Sequence, residues 1–282
     1  MRELERNSTD IRPALPQRIA VIGRGRLGSA LAPALRAAAV AVEGPLARAE
    51  APAVPVDAVV LCVPDAEIER AAAGSAGWAP LIGHTSGATP LSALAAAGGE
   101  AFGLHPLQTF TEGGGRFDGC GCAVGGTTPR ALAAACAIAG SLGMKPFQLA
   151  DAARPAYHAA ASIASNFLVT IEAAAEQVAA GAGIAPGDAR EMLAPLVRQT
   201  VENWAMLGPE RALTGPVARG DDATVERQRA AVVSAAPEFV EVWDALVRAT
   251  RAVAAAGSAP SDRENGPSDR QNEPSALEKV AQ

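Results

Sequence analysis

A glycine-rich stretch near the start of the chain restricts its fold more than any other feature. The apolar run at residues 18–22 leads directly into Gly23-Arg24-Gly25-Arg26-Leu27-Gly28, and an alanine-rich segment follows. An apolar run, a glycine turn and a helix-forming segment in this order are typical of the first unit of a dinucleotide-binding sheet. In that unit the three glycines allow a tight turn, close approach to a diphosphate, and close packing of helix on strand.

Strand-like and helix-like segments alternate up to about residue 151. Further strands are predicted at 39–42, 58–63, 81–83, 101–104, 122–124 and 146–149, and a helix at 129–142. We expect the strand at 39–42 to end at Glu43-Gly44-Pro45. Strands that alternate with helices favour a mostly parallel sheet covered on both faces. The sequence therefore predicts an α/β Rossmann-type domain over residues 17–151.

The character of the sequence changes after Asp151. The segments 154–181, 186–206 and 222–256 carry no strand pattern and predict an all-helical domain over 152–256, which would complete a small-molecule site. Residues 1–16 are charged and polar, which argues against a signal peptide. Residues 257–282 are rich in Ser, Pro, Asp and Arg, so they cannot bury enough apolar surface to order themselves. We expect a disordered leader over 1–16 and a disordered tail over 257–282.

Charge and cysteine content exclude several classes of protein. A net charge of -6 argues against nucleic acid or an anionic membrane as partner, and no stretch has the apolar density of a membrane span. The cysteines, Cys62, Cys120, Cys122 and Cys136, fit neither a zinc motif nor a secreted disulfide framework. We interpret them as reduced core thiols, a redox pair at 120 and 122 being the less favoured alternative. The chain is expected to be cytoplasmic, to bind a small molecule and to hold no metal.

The glycine turn supplies most of the candidate cofactor-binding residues. Amides at the start of the following helix, with Arg24 and Arg26, would contact the phosphates. Glu43 favours NAD(H) because a carboxylate accepts hydrogen bonds from a ribose hydroxyl. Arg48 favours NADP(H) if the turn after Glu43 directs that carboxylate away, so the residues leave this choice open. The full candidate set is Gly23, Arg24, Gly25, Arg26, Leu27, Gly28, Glu43, Val63 and Pro64.

Two of the three histidines follow predicted strands, where ligands bind in an open α/β sheet. His105 is the preferred group to exchange a proton with a carbonyl or alcohol during hydride transfer. Ser86 comes second and His84 third. The alternative interpretations are a turn histidine before a proline for His105 and a solvent-facing loop residue for His84.

A row of polar residues recurs on the first long predicted helix, at spacings that place its members on one face. The row consists of His158, Ser162, Ser165 and Asn166. It forms either a wall of the site or a set of buried hydrogen bonds to neighbouring structure. Further along, Arg219 either binds a substrate carboxylate or belongs to a loop in which Asp221 or Asp222 caps the next helix.

Taken together, several motifs resemble bacterial Rossmann-like proteins that carry a C-terminal domain of unknown function 2520, over about residues 17–255. Besides the glycine turn, these are VVLCVPD at 59–65, HTSG at 84–87, LHPLQ at 104–108, YHAAA at 157–161, SNFL at 165–168 and LTGPVARGD at 213–221. The architecture is similar to that of ketopantoate reductases, pyrroline-5-carboxylate reductases, β-hydroxyacid dehydrogenases and prephenate dehydrogenases, most of which are dimers. The resemblance implies NADP(H), with NAD(H) as the alternative, and a homodimer formed through the helical domain.

The resemblance also implies roles for individual residues. Ser86 and His105 look like the serine and histidine that contribute to catalysis in prephenate dehydrogenases. Asn166 matches the helix asparagine of β-hydroxyacid dehydrogenases, but Ser162 stands where their lysine would be, and Gln228 stands where a family histidine is expected. The expected catalytic residues are His105, Ser86, His158 and Asn166, and the expected substrate-binding residues are Arg219 and Ser162.

The implied function is hydride transfer to a small carbonyl or imine, with a 2-oxo acid such as ketopantoate as a candidate substrate. The missing lysine supports a different class of function, a non-catalytic sensor or scaffold that binds NADP(H).

Overall fold

A computed structural model describes residues 15–48 and 50–258 of the chain. These residues form two compact units, the first ending at Ile163 and the second beginning at Ala164. Most of the expected leader and tail lies outside the described residues. Across those ranges, no helix combines the length and the apolar character that crossing a membrane requires.

The first unit is built on a seven-stranded sheet. Its strands are β1 Arg18–Ile22, β2 Ala41–Leu46, β3 Ala58–Leu61, β4 Leu81–His84, β5 Glu100–Pro106, β6 Gly121–Gly126 and β7 Lys145–Gln148. They are ordered β2-β1-β3-β4-β5-β6-β7. The first five are parallel, β6 runs antiparallel to β5, and β7 is parallel to β6. The expected mostly parallel Rossmann-type sheet is confirmed.

Helices cover both faces of this sheet. The helices up to residue 164 are α1 Arg26–Ala37, α2 Ile68–Gly74, α3 Pro129–Ser141 and α4 Arg154–Ala164, with 3-10 helices at Asp65–Glu67, Leu91–Ala97 and Asp151–Ala153. α1 and α3 pack on one face, and α2 with the second 3-10 helix packs on the other. The unit extends beyond residue 151, where the sequence placed the domain boundary, because α4 contributes buried contacts to it.

The second unit contains helices and no strand within its described residues, as expected. It consists of α5 Asn166–Gly181, α6 Pro186–Leu207, α7 Pro209–Ala212, α8 Pro216–Arg219, α9 Asp222–Ala235 and α10 Val240–Ser258, with a 3-10 helix at Pro237–Phe239. Of the two candidate caps for α9, Asp221 is the N-cap, and its side chain accepts a hydrogen bond from the Thr224 amide at 3.1 Å.

Two expectations about element boundaries are wrong. β2 runs through Gly44 and Pro45 instead of ending there, because an edge strand tolerates a proline without losing an inner ladder bond. The expected helix over 154–181 is interrupted at Ser165, whose backbone (φ -122, ψ -69) is not helical. Asn166 therefore begins a new helix, and the expected single face from His158 to Asn166 does not form.

Candidate functional site

The glycine turn after β1 adopts the geometry that its sequence predicts. A Cβ atom on Gly23 would lie 2.1 Å from the Cys62 carbonyl oxygen, and one on Gly28 would lie 2.0 Å from the Gly23 carbonyl oxygen. Gly23 also has φ of 116°, which favours glycine. A Cβ on Gly25, in contrast, would meet nothing within 4 Å. The first and third glycines are thus required by the fold, whereas the second leaves its backbone open to a ligand.

Helix α1 begins in this open region. Gly25 is its N-cap and provides no side-chain hydrogen bond, so the amides of the first turn have no partner within the helix. A cavity of about 570 Å³ adjoins the helix start. Its lining residues are Arg24, Gly25, Arg26, Ser29, Ala30, Thr111, Glu112, Gly113 and Gly114. Unpaired amides, the helix dipole and two arginines suit an anionic ligand such as a diphosphate.

The segment after β3 lies beside this turn. β1 is bordered by β2 on one side and β3 on the other, so the chain connections change direction between β1 and β3, where ligands bind in such sheets. Val63 is half-buried and Pro64 is exposed just beyond the end of β3. Burial raises the pKa of the neighbouring Cys62 thiol to about 12, so this thiol stays protonated beneath the glycine turn.

The register of β2 separates the two residues proposed to choose the cofactor. Glu43 pairs with Ala20 inside the sheet, whereas Leu46, the last residue of β2, pairs with Ile22. Arg48 therefore follows the carboxyl end of the strand, and Glu43 lies three residues before it. The expectation that Glu43 ends the strand is wrong.

Two arginines are held by ion pairs beyond this strand end. Arg48 contacts Glu67 at 2.9 Å and Arg24 contacts Glu50 at 2.7 Å. The Arg24 Nε also donates to the Pro45 carbonyl oxygen at 3.2 Å. Their guanidinium groups remain half-exposed, so both are accessible to an added phosphate.

The end of β4 carries a buried histidine. The His84 side chain is fully buried, and its Nδ1 accepts a hydrogen bond from the Ser86 amide at 3.2 Å. Burial, followed by the positive charge of Arg154, lowers the pKa of His84 to about 4. His84 is therefore a neutral group that shapes the loop, and the alternative interpretation of it as a solvent-facing loop residue is wrong because it ends β4 in the interior.

The Ser86 hydroxyl group is occupied within the loop. Its Oγ accepts hydrogen bonds from the amides of Ala88 (3.1 Å) and Thr89 (2.9 Å), and it donates to Thr89 Oγ1 at 2.9 Å. These contacts use its hydrogen-bonding capacity. A role for Ser86 in orienting a substrate stays a prediction.

His105 lies in the last part of β5, not after the strand as expected. Its Nδ1 is 2.6 Å from the Tyr157 hydroxyl oxygen, and the two rings meet edge to face. Burial, and then the charges of His158 and Arg154, lower the pKa of His105 to about 4. The imidazole is neutral at neutral pH.

Gly87 lies close to two imidazole nitrogens, His105 Nε2 and His158 Nδ1. A Cβ atom on Gly87 would lie 2.9 Å from both His105 Nε2 and His158 Nδ1. The His158 Nδ1 atom is buried and has no hydrogen-bond partner in the described part of the chain. The structure thus brings His105 and His158 together at the loop that follows β4.

Sequence reasoning missed two residues of this cluster. Arg154 is 2% exposed, forms an ion pair with Asp151 at 2.6 Å, and fits because Gly103 has no side chain where the guanidinium lies. Tyr157 is the single tyrosine of the chain. The sequence signals were an acid and a base three residues apart at a helix start, and an aromatic residue next to His158.

Other predicted site residues lie elsewhere. Asn166 begins α5 and Arg219 ends α8, so both belong to the second unit, and both are exposed. Ser162 is half-buried on α4. Convergence of these residues on one substrate stays a prediction. Within 15–48 and 50–258, no group of three His, Cys, Asp or Glu side chains is arranged to hold a metal ion.

Comparison with known proteins finds one family model and several solved structures that match this chain. Residues 120–250 match the family model described as a domain of unknown function (DUF2520), which confirms the expected resemblance in the C-terminal part. No curated protein matches this sequence.

Three solved structures illustrate the likeness in fold. A Bacteroides fragilis protein, described provisionally as an NADP oxidoreductase, is 20% identical with a TM-score of 0.72, covering 84% of this chain and 98% of that one. A Thermotoga maritima protein is 25% identical with a TM-score of 0.69, covering 84% and 99%. Plasmodium falciparum pyrroline carboxylate reductase, solved with NADP bound, is 12% identical with a TM-score of 0.54, covering 84% and 98%.

Proposed function

We propose that this chain, a Rossmann-type sheet unit joined to a helical unit, is an NADP(H)-dependent oxidoreductase that transfers a hydride to a small carbonyl or imine. One observation carries the proposal: the open backbone at Gly25 and the neutral His105 belong to the same parallel sheet, at the carboxyl ends of β1 and β5. That edge is where such sheets bind cofactor and substrate. The names of two similar structures, an NADP oxidoreductase and a reductase with NADP bound, support the proposed NADP(H)-dependent function.

The cofactor we propose is NADP(H), with NAD(H) as the alternative. The first-turn amides of α1 would bind the diphosphate, and Arg24 and Arg48 would bind the adenosine 2′-phosphate. Arg48 lies beyond the carboxyl end of β2, and Arg24, in the turn after β1, contacts Glu50 there. Glu43 is set back within β2, where it would not oppose a phosphate at the strand end. When bound, the nicotinamide would supply the hydride.

The substrate we propose is a 2-oxo acid such as ketopantoate or a related imine. His105 would supply the proton to the substrate, with His158 beside it. Ser86 would act through the shape of its loop, Arg219 would hold the substrate carboxylate, and Ser162 and Asn166 would contribute further polar contacts.

The proposal is tested by cofactor binding and turnover together. NADPH fluorescence titration should show saturable binding, and NADPH should be oxidised with at least one member of a panel of 2-oxo acids and cyclic imines. His105→Gln should lower kcat by about a hundredfold or more while leaving the Kd for NADPH unchanged, because general acids contribute on this scale. Equal turnover by this variant would remove the assignment of His105.

A second candidate, a sensor or scaffold that binds NADP(H) without catalysis, is favoured by one observation. No lysine occupies the described α4 and α5 helices, and serine stands at position 162. Tight NADPH binding with no oxidation across the whole panel would establish this alternative and exclude the reductase.

We also propose a homodimer formed through the helical unit. Helix α6 exposes Met192, Leu196, Trp204 and Met206 at 54%, 63%, 57% and 70%. Large apolar side chains left exposed on one element are typical of a surface that binds a protein partner. Sedimentation velocity should show a dimer, and Leu196→Glu with Trp204→Glu should shift it to monomer. The cytoplasm is the proposed compartment, in keeping with four unpaired cysteine thiols.

A further inference from the structure

The contact between His105 and Tyr157 determines which imidazole nitrogen can meet a substrate. The Tyr157 hydroxyl oxygen lies 2.6 Å from His105 Nδ1, so that nitrogen is engaged. His105 Nε2 is the nitrogen that faces Gly87 and lies near His158. A proton on Nε2 makes His105 a hydrogen-bond donor to a ligand, and a proton on Nδ1 makes it an acceptor.

The available hydrogen-bond partners indicate whether Tyr157 or His105 Nδ1 carries the proton of their hydrogen bond. Within the described residues, Tyr157 forms no hydrogen bond other than the one with His105. If Nδ1 carried the proton and donated to Tyr157, the hydroxyl hydrogen would have no acceptor among the described residues. If Tyr157 donates to Nδ1, both groups are satisfied. Burial also raises the pKa of Tyr157 well above its ordinary value, which keeps the hydroxyl protonated.

We propose that Tyr157 is a positioning residue that holds His105 as the Nε2-protonated tautomer, so that the site takes a carbonyl oxygen in preference to a protonated imine. This inference rests on the proposed reductase function and narrows its substrate class. A carbonyl oxygen accepts a hydrogen bond from Nε2. A protonated imine presents its own N–H and a positive charge, so it would meet a donor where it needs an acceptor.

The proton balance of a carbonyl reduction fits this arrangement. The carbonyl carbon receives the hydride that a bound nicotinamide supplies, and the C=O π pair moves to the oxygen. That oxygen, as an alkoxide, is a stronger base than imidazolate and takes the proton from Nε2. The Tyr157 hydroxyl, donating to Nδ1, stabilises the negative charge that develops on the ring, and water then returns a proton to Nε2. The neutral form of His105 is the one that acts, as a low pKa requires.

The tautomer can be measured without any substrate. In the full chain labelled with 15N-histidine, NMR resonances of protonated and unprotonated ring nitrogens are widely separated, and the His105→Gln spectrum identifies those of His105. We expect a protonated Nε2 in the wild type and a clear rise of the Nδ1-protonated form in Tyr157→Phe. Phe147→Leu, which changes a ring packed on Tyr157 but keeps the hydroxyl, should leave the tautomer unchanged. A wild type protonated on Nδ1, or no change in Tyr157→Phe, overturns the proposal.

Turnover of a carbonyl and an imine substrate tests the substrate preference separately from the reductase function on which it rests. With NADPH, ketopantoate should be reduced faster than 1-pyrroline-5-carboxylate, and Tyr157→Phe should lower kcat about tenfold or more with an unchanged Kd for NADPH. Preferential reduction of the imine overturns the inference and leaves the reductase function standing. No reduction of either compound overturns the function, and the NMR spectra then decide the role of Tyr157 alone.

Discussion

At the scale of single residues, the three glycines of the turn differ in what they do, and substitution separates these roles. Gly25→Asp should keep the fold, since a Cβ there meets nothing within 4 Å, but should weaken NADPH binding by about a hundredfold or more because a carboxylate would repel the diphosphate. Gly28→Ala should instead destabilise the protein by about 2–4 kcal/mol, since its Cβ would lie 2.0 Å from a carbonyl oxygen. Fluorescence titration and urea unfolding measure the two effects, and tight NADPH binding by Gly25→Asp would contradict the cofactor site.

Arg48 offers a test of cofactor choice at the same scale. If it binds the 2′-phosphate, Arg48→Ala should lower the ratio of NADPH to NADH affinity by about tenfold, the scale of one charge-assisted contact. Arg70→Ala is a matched control, because Arg70 also contacts Glu67 but lies on α2. The assignment fails if both variants change the ratio equally or neither does.

The sequence indicated some of these residues and could not indicate others. Gly23 and Gly28 were predictable because each solves a local steric problem at fixed spacing. Arg154 was not, since its burial depends on Gly103, which is distant in sequence and contacts it only after the sheet forms. The pairing of Tyr157 with His105 has the same origin, a contact between α4 and β5 across 52 residues.

At the scale of elements, the order of strands and helices followed from apolar runs and alanine-rich segments, while several boundaries did not. The proline in β2 was expected to end the strand, but the edge position of that strand removes the penalty. The interruption at Ser165 carries no glycine or proline, and its one local sign is the serine itself, a residue type that favours helix N-caps. Expectations that relied on the continuity of that helix, including the polar face reaching Asn166, were lost with it.

Helix α3 provides an element whose stability can be tested. Thr128 is its N-cap: the side-chain oxygen accepts from the Ala131 amide at 3.1 Å and also contacts the Glu100 carboxylate. Thr128→Ala should lower the free energy of unfolding by about 1 kcal/mol, the usual value of such a cap. Thr128→Ser keeps the oxygen and should lose clearly less. Equal losses in urea titrations of the two variants would show that the methyl group matters, not the cap.

At the scale of the whole molecule, two histidines with lowered pKa values and one buried arginine connect the site to the acid stability of the first unit. His84 and His105 are neutral inside the protein, and the cation beside them, Arg154, is balanced by Asp151. An unfolded histidine takes up a proton near its ordinary pKa of 6.5, whereas these two do so only near 4. The unfolded chain therefore binds more protons between these values, and stability must fall as the pH drops through that window.

A substitution can measure how much His84 contributes to the fall in the free energy of unfolding per pH unit. Each such histidine contributes at most about 1.4 kcal/mol per pH unit between pH 6.5 and 4. His84→Asn, which keeps an acceptor for the Ser86 amide, should remove about that slope whatever its absolute stability. Urea unfolding followed by Trp78 fluorescence, with Trp204 and Trp243 replaced by Phe, reports the first unit. The carboxylate of Asp151, whose pKa is lowered from its ordinary value of 3.8, affects stability mainly below about pH 5, so the slope is best compared between about pH 5 and 6.5. An unaltered slope in His84→Asn would mean that folding does not lower the pKa of His84, which would contradict its assignment as a buried neutral group.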